Sequence, residues 1–217
     1  VPEVLAVTDT HLVLELIETG SGSDVMADLG ERLAKLHRHQ AEHYGFEIDN
    51  FLGPSPQRNT PTQPASETSW PQFFYDYRLV PQIQMAEAGG RASAELSRLV
   101  AKLENRIEEI LAGPAEASLL HGDLWSGNTM VDATGAPVLI DPAVYYGHRE
   151  ADLAMTSLFG GFGRSFYDAY DATWPREPGW EQREPLYQAY HVINHLNVFG
   201  GGYLSQAEGL LRRYASR

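Results

Sequence analysis

The sequence has no cysteine, which excludes a disulfide framework, a thiolate metal site and a thiol nucleophile. Basic side chains are few: 16 Lys and Arg stand against 29 Asp and Glu, a formal net charge of −13. That balance repels phosphate backbones and anionic headgroups, and no local basic patch offsets it, so neither nucleic acid nor a membrane is the expected partner. No apolar run is long enough to span a bilayer, and the N-terminus lacks the basic-then-apolar order of a secretory signal, which makes the cytoplasm the expected compartment. Neither a fixed-period repeat nor sustained heptads occur, against solenoids and coiled coils. The chain starts at Val1-Pro2 rather than at Met, so a preceding segment is expected.

What is present suits one or two globular domains: 217 residues, 43% hydrophobic and 11% aromatic, with apolar surface enough for a core. Two extended pieces, Glu3 to Val7 and His11 to Ile17, flank the turn residues Thr8-Asp9-Thr10 and predict a hairpin. From Asp24, an N-cap candidate, Val25, Leu29, Leu33 and Leu36 fall at helical spacing with a Glu31–Lys35 pair, predicting a helix to about His39. The glycine, prolines and polar residues of 53–69 predict a long loop that forms neither ladder nor helix. Helices are expected over 70–88 and 91–112, the second stopped by Gly113-Pro114, and again over 151–159, 165–172 and 181–199. The chain reads as mostly helix with a few short strands.

The densest chemistry lies in Leu119-Leu120-His121-Gly122-Asp123-Leu124-Trp125-Ser126-Gly127-Asn128, Thr129-Met130-Val131 and Val138-Leu139-Ile140-Asp141-Pro142. The residues between the two apolar runs, Asp132-Ala133-Thr134-Gly135-Ala136-Pro137, are turn formers and predict a hairpin. Asn128 and Asp141 are equidistant from the Thr134-Gly135 step, so a symmetric hairpin sets them face to face at its open end. Asp123, on an irregular segment with two glycines, can fold back to that end. An amide oxygen and a carboxylate aimed at one point suit Mg2+, a hard cation that also binds phosphate oxygens. A further carboxylate beside them can accept a proton from an attacking hydroxyl. A lone Asp near a Gly is most often a turn residue; the joint spacing of Asp123, Asn128 and Asp141 is what favours chemistry. It matches the phosphoryl-transfer template of a loop Asp, an Asn five residues on, and a metal-binding Asp after the next hairpin.

Two features separate the pattern from protein kinases: Gly122 replaces the arginine between His and Asp, and Pro142-Ala143 follows Asp141 in place of Phe-Gly. Both resemble the aminoglycoside-phosphotransferase-like small-molecule kinases. More narrowly, the sequence resembles the fructosamine kinase (ketosamine kinase) family in His121-Gly-Asp-Leu-Trp-Ser-Gly-Asn128, Asp141-Pro-Ala, Tyr146-Gly-His148, Phe159-Gly-Gly-Phe162 and Asn194-His195 ahead of Phe199-Gly200. Upstream, Asn50-Phe-Leu-Gly53, Pro56-Gln57-Arg-Asn59, Trp70, Phe73-Phe74 and Arg78-Leu-Val-Pro-Gln82 resemble it too, so the likeness covers nearly the whole chain.

The resemblance implies an α+β, protein-kinase-like large lobe, mostly helical, with a catalytic β-hairpin and a remnant of the small-lobe sheet. Residues 1–19 would be the small-lobe strands and hinge, and 20–217 the helical C-terminal lobe. It implies ATP and Mg2+, and as acceptor the C3 hydroxyl of a ketosamine such as fructoselysine or ribuloselysine, free or on protein, whose phosphorylation makes the adduct labile and repairs glycation. Asp123 would orient and deprotonate that hydroxyl, Asn128 and Asp141 would hold metal and nucleotide, and Glu15, Leu16 and Ile17 would offer backbone groups to adenine. Trp125, His148, Phe162 and His195 would shape the acceptor pocket, and His121 and Asp152 would brace the loop. Such kinases also carry a phosphate-covering loop and a strand lysine; the glycine-rich candidate here, Gly20-Ser21-Gly22-Ser23, has Val25 where a third glycine would stand. Two other readings remain: a kinase for an aminoglycoside, choline or homoserine, and a non-catalytic lobe that binds a sugar or partner without turnover.

Simpler readings compete at single positions. Trp125 is either core or a flat wall for a sugar ring. His191 and His195, at i,i+4, have zinc-compatible spacing, without a third ligand in view. His37, His39 and His43 read as solvated, Asp152 as a helix cap that also binds the loop, and Tyr146, His148 and Phe162 as ordinary buried residues.

Overall fold

The computed structural model describes residues 1–60 and 68–215. The first hairpin forms as expected: β1 (Val4–Val7) pairs antiparallel with β2 (Leu12–Leu14), and Thr8 and His11 close the turn through Thr8 N–H to the His11 carbonyl, 2.8 Å. Every residue of both strands is exposed. α1 (Val25–His37) follows, burying Leu29, Leu33 and Ala34; Asp24 occupies the N-cap position without a side-chain capping bond. The exposed Glu31–Lys35 pair closes at 2.5 Å.

The predicted loop of 53–69 is corrected at its start. β3 (Asn50–Leu52) and β4 (Ser55–Gln57) form an antiparallel ladder closed by Gly53-Pro54, with Gly53 at φ +56°. Pro56 is tolerated because it opposes Phe51: when the closing pair Leu52/Ser55 exchanges ladder bonds, the next pair does not, so no N–H is needed there. Pro61 and Pro64, which carried the rest of that expectation, lie outside the described residues.

The helical run at 70–88 has three parts: α2 (Trp70–Phe74), a π-helical turn (Tyr75–Leu79) and α3 (Val80–Ala88). Ser69 caps it, its hydroxyl accepting from Gln72 N. Pro81 has no N–H to give the Tyr77 carbonyl, and Arg78 Nη1 occupies that carbonyl at 2.9 Å instead. The expected helix at 91–112 is also divided, into α4 (Ala94–Leu103) and α5 (Ile107–Ile110). At the break the Glu104 and Arg106 amides take i−3 carbonyls, and the Arg106 guanidinium binds the Tyr214 carbonyl.

The central segment comprises β5 (Ser118–Leu120), a 3-10 turn at Ser126–Asn128, β6 (Thr129–Val131), β7 (Pro137–Leu139) and β8 (Tyr145–Gly147). β5 pairs with β8 and β6 with β7, both antiparallel. Then come α6 (Glu150–Leu158), α7 (Arg164–Thr173), α8 (Trp180–Phe199) and α9 (Tyr203–Arg212), the last unexpected from the sequence. None of the described helices is long and apolar enough to cross a membrane.

Two apolar clusters flank the central segment. The larger joins the 70–88 helical run, α4, α8 and α9 around Trp70, Phe73, Phe74, Tyr187 and Tyr190. The smaller joins α1, α6 and α7 through Leu29, Leu33, Leu153, Phe166 and Tyr170, with Leu124 inserted from the central segment. The segment holding Asp123 is thus fixed from both sides.

Candidate active site

The loop after β5 hangs on one carboxylate. Asp152 is not the N-cap of α6 but lies in its first turn, fully buried. Its Oδ2 accepts from His121 N at 2.7 Å and its Oδ1 from Gly122 N at 2.8 Å. His37 Nε2, 3.2 Å from Oδ2, adds a third bond. Burial alone would raise this carboxyl's pKa; the bonds from His37 and the Gly122 amide outweigh it and hold it below the usual value. His37 is therefore not solvated as its sequence context suggested: it is completely buried, with Nδ1 2.8 Å from the Tyr170 hydroxyl. Nε2 donates to the Asp152 carboxylate, and the Tyr170 hydroxyl is the partner of Nδ1. His39 and His43 are exposed as expected.

Gly122 turns the chain at φ +84°, and a Cβ there would stand 2.0 Å from the Ala143 carbonyl oxygen. His121 bridges the loop to the following hairpin, donating from Nε2 to the Ile140 carbonyl at 2.9 Å and accepting the Asp123 amide at Nδ1, 3.3 Å. Burial lowers its pKa, so the ring is a neutral brace between loop and hairpin.

This frame presents Asp123. Desolvation pushes its carboxyl up to about 6, although Asn128 Nδ2 donates to Oδ2 at 3.2 Å and to the Asp123 carbonyl at 2.9 Å. The charges of Asp152 and then Asp141 add to the rise. His191, read from sequence only as a weak zinc candidate, is a neighbour the sequence did not reveal. Its buried Nδ1 has no hydrogen-bond partner among the described residues and lies 4.0 Å from Asp123 Oδ1, and desolvation pushes its pKa down to about 3, keeping the ring neutral. Among the described residues no group of three or more His, Asp or Glu could hold a metal.

The hairpin that carries Asn128 and Asp141 is one register off the symmetric expectation. Thr129 pairs with Leu139 and Val131 with Pro137, and Ile140 N donates to the Asn128 carbonyl at 3.0 Å, so Asn128 opposes Ile140. Asp141 follows with φ +50°, the one described non-glycine residue with positive φ. Because Asn128 commits its amide nitrogen to Asp123, its Oδ1 is left without a hydrogen-bond partner among the described residues; exposed Asp141 accepts no hydrogen bond either. Two unengaged oxygens on adjoining backbone suit a hard divalent cation.

At the closed end of the same hairpin, Glu15, Leu16 and Ile17 line an open cavity of about 320 Å3 with Glu18 and the turn residues Asp132–Thr134. Gly20 docks the chain there, its N–H on the Val131 carbonyl at 2.9 Å; a Cβ would strike the Asp132 carbonyl oxygen at 2.3 Å. The glycines of 20–23 thus serve a close backbone seam.

The expected acceptor residues divide. Trp125 lies flat over Gly127, where a Cβ would be 2.2 Å from the indole, and is 39% exposed. Phe159 connects it to His195, at 6.5 Å from Trp125 and 4.8 Å from His195 between ring centroids. His148 belongs elsewhere. It is buried against Trp70 and Tyr187, with Nδ1 2.9 Å from the Tyr187 hydroxyl, and lines a cavity of about 220 Å3 with Leu111–Pro114, Glu177, Pro178 and Arg183. Phe162 packs on Phe166 in the smaller cluster, 4.9 Å between centroids. Phe159, next to two glycines, is the aromatic on the wall and not Phe162. Tyr146 stacks on Phe46.

Comparison with known proteins places the chain in a family. The fructosamine kinase family model matches residues 1–217. A Synechocystis protein described as a probable ketoamine kinase is 42% identical over 206 residues, covering 94% of this chain and 67% of that one. The chloroplastic protein-ribulosamine 3-kinase of Arabidopsis thaliana is 39% identical over 210 residues, covering 94% and 62%. A crystal structure of a candidate fructosamine-3-kinase from Thermobifida fusca superposes with a TM-score of 0.91 at 32% identity, covering all of this chain and 74% of that one. The mixed α+β architecture is that of the protein-kinase-like enzymes, and the chain belongs to the fructosamine kinase family.

Proposed function

We propose that the protein transfers the γ-phosphoryl group of ATP to the C3 hydroxyl of a ketosamine, a fructosamine or ribulosamine, free or protein-bound. The observation that carries this reading is the Asp123 carboxyl: desolvated, oriented by Asn128 Nδ2, and adjoining the two free oxygens of Asn128 and Asp141. Asn128 engages Oδ2, which leaves Oδ1 to receive the acceptor hydroxyl. As the hydroxyl oxygen bonds to the γ-phosphorus, the bond to the ADP oxygen breaks and the hydroxyl proton passes to Asp123. Asp123 fixes the direction of attack by holding that hydroxyl in place. Asn128 Oδ1 and Asp141 would hold Mg2+, which when bound neutralises charge on the phosphates. Glu15 to Ile17, at the end of residues 1–19, would contact adenine from the hairpin side, and Trp125 and His195 would contact the sugar.

An ATP-consumption assay of the complete gene product against fructosamine, ribulosamine, aminoglycoside, choline and homoserine acceptors tests the assignment. Turnover is expected with the two ketosamines. Turnover confined to choline, homoserine or an aminoglycoside, or to none of the panel, would overturn it.

A further inference from the structure

One buried nitrogen beside the catalytic loop is left unpaired. His191 lies in α8, whose inward side joins the larger cluster through Tyr187, Tyr190 and Ile193. A chain of hydrogen bonds holds this helix at a set distance from the loop. Tyr190 donates its hydroxyl to Gln57 Oε1 at 2.7 Å, and Gln57 Nε2 donates to the Ala143 carbonyl at 3.1 Å. Ala143 in turn gives its N–H to the His121 carbonyl at 2.8 Å. The His191 ring packs edge-on against Tyr190, 5.0 Å between centroids. Its place is therefore fixed by bonds that also fix the loop.

Nδ1 of that ring is buried, has no hydrogen-bond partner among the described residues, and lies 4.0 Å from Asp123 Oδ1. Buried polar atoms in folded proteins are paired with few exceptions, and this exception faces the carboxylate that receives the acceptor proton. The separation exceeds a hydrogen bond by about 1 Å. Asp123 is the partner able to close it. Its side chain is 21% exposed against 5% for His191, and among the described residues its carboxylate takes one side-chain bond, from Asn128 Nδ2 to Oδ2, long at 3.2 Å. With that single anchor the carboxylate turns about Oδ2, and Oδ1 moves most. Contacts between catalytic groups are often long before substrate binds and tighten once it is bound. Burial keeps the His191 ring neutral, and a carboxylate only accepts, so the ring meets it with the hydrogen on Nδ1.

We propose that His191 is a positioning residue for phosphoryl transfer: its Nδ1–H closes onto Asp123 Oδ1 as the acceptor binds, holding the carboxylate at the oxygen that Asn128 does not hold. This rests on the ketosamine kinase reading and deepens it. Oδ1 has two lone pairs, one for the His191 N–H and one for the acceptor hydroxyl. Asn128 and His191 together then define the plane of the carboxylate, and the plane defines the line along which the hydroxyl oxygen meets the γ-phosphorus. Orientation of this kind acts on the chemical step and leaves the binding of either substrate nearly unchanged. His191 touches neither substrate and works through Asp123 alone.

The test is steady-state kinetics of the complete gene product with fructoselysine and ATP. His191→Phe keeps a ring of similar size and removes the nitrogen; it is expected to lower kcat by about 10–10²-fold, with both KM values within about twofold of wild type. His191→Asn brings an amide nitrogen to the place of Nδ1 and should recover kcat to within about threefold of wild type. His191→Gln ends one bond farther out, where Nε2 lies, and should lose as much as the phenylalanine variant, so the comparison of Asn with Gln decides the matter even if phenylalanine does not fold. In an Asp123→Asn background, His191→Phe should change kcat by less than about twofold, because the residue through which it acts is gone. Equal kcat for the Asn and Gln variants, a loss carried by the acceptor KM, or an undiminished loss in the Asp123→Asn background would overturn the proposal. Wild-type turnover separates the two readings: without it both fall, whereas turnover with a kcat indifferent to residue 191 removes the positioning role and keeps the kinase.

Discussion

The two faces of the loop at 121–128 are built on opposite rules. Its inner face is closed: Asp152 takes three hydrogen bonds, His121 is bonded at both ring nitrogens, and His37 joins Tyr170 to the same carboxylate. Its outer face is open, with Trp125, Phe159 and Phe199 exposed. A buried polar network is worth its desolvation only when nearly every group is paired, and once paired it admits one geometry. An exposed aromatic surface has no such demand and can meet ligands of differing length. The inner face thus fixes where the proton goes, and the outer face decides what is brought to it. Asp123 stands at the boundary, bonded on one oxygen and unbonded on the other.

The largest effect should come from breaking that boundary residue. Asp123→Asn should lower kcat by about 10²–10⁴-fold, the usual worth of a positioned acid–base group, with nucleotide affinity near wild type. Stability should move the other way. The Asp123 pKa is raised from 3.8 to about 6 by burial, so the folded chain binds this proton more tightly than the unfolded one. Its favourable contribution is complete below the unfolded value and is lost as pH rises through about 6. The melting temperature of Asp123→Asn relative to wild type should accordingly climb across that interval and level off above it. Melting curves of both proteins, recorded without metal, check this; a flat or falling difference contradicts the desolvation of Asp123.

The inner face is sharpened by Asp152→Asn. The amide keeps one acceptor oxygen and sets an NH2 against a donor, so one of the His121 and Gly122 amides is left buried and unpaired. A cost of about 2–4 kcal/mol is expected, from the lost charge-assisted bonds and the orphaned donor. Urea unfolding measures it. A cost below about 1 kcal/mol would mean that the loop does not depend on this carboxylate.

How much of this was legible depended on range along the chain. The first hairpin and the helices at 25–37 and 180–199 follow from local periodicity and turn chemistry, and the triplet Asp123, Asn128, Asp141 from spacing. His37 carried a signal that its polarity masked: it continues the buried Leu29–Leu33 stripe at i+4. The breaks in the helices at 70–88 and 91–112 rest on distant or unusual partners, the Arg78 side chain on a carbonyl and the Tyr214 carbonyl on Arg106. α9 follows three glycines and contains Gly209, which hides its Ala207–Leu211 face. Which aromatic of Phe159-Gly-Gly-Phe162 reaches Trp125, and that His148 turns into the core, depends on how α6, α7 and α8 meet, which spacing does not encode.

The hairpin end offers the finest test, because there the one-residue register difference and the metal reading meet in Asp141. Opposite Ile140 the regular ladder ends, and Asp141 reaches its place only by entering the left-handed region, at φ +50°. That conformation costs an L-residue about 1–2 kcal/mol, less for Asp and almost nothing for Gly. If the position is kept acidic for its carboxylate, Asp141→Gly should melt slightly above wild type, the released left-handed strain exceeding the ~0.4–1 kcal/mol of backbone entropy that glycine adds to the unfolded chain, while the Mg2+ requirement for turnover rises. Asp141→Ala loses the same carboxylate and keeps the strain, so it should melt below wild type with a Mg2+ requirement as high as that of the glycine variant. Melting temperatures in the order Gly, Asp, Ala, beside Mg2+ requirements in which Asp alone is low, would separate strain from ligation. A glycine variant that melts below wild type would deny the strain, and one that needs no more Mg2+ would deny the metal role.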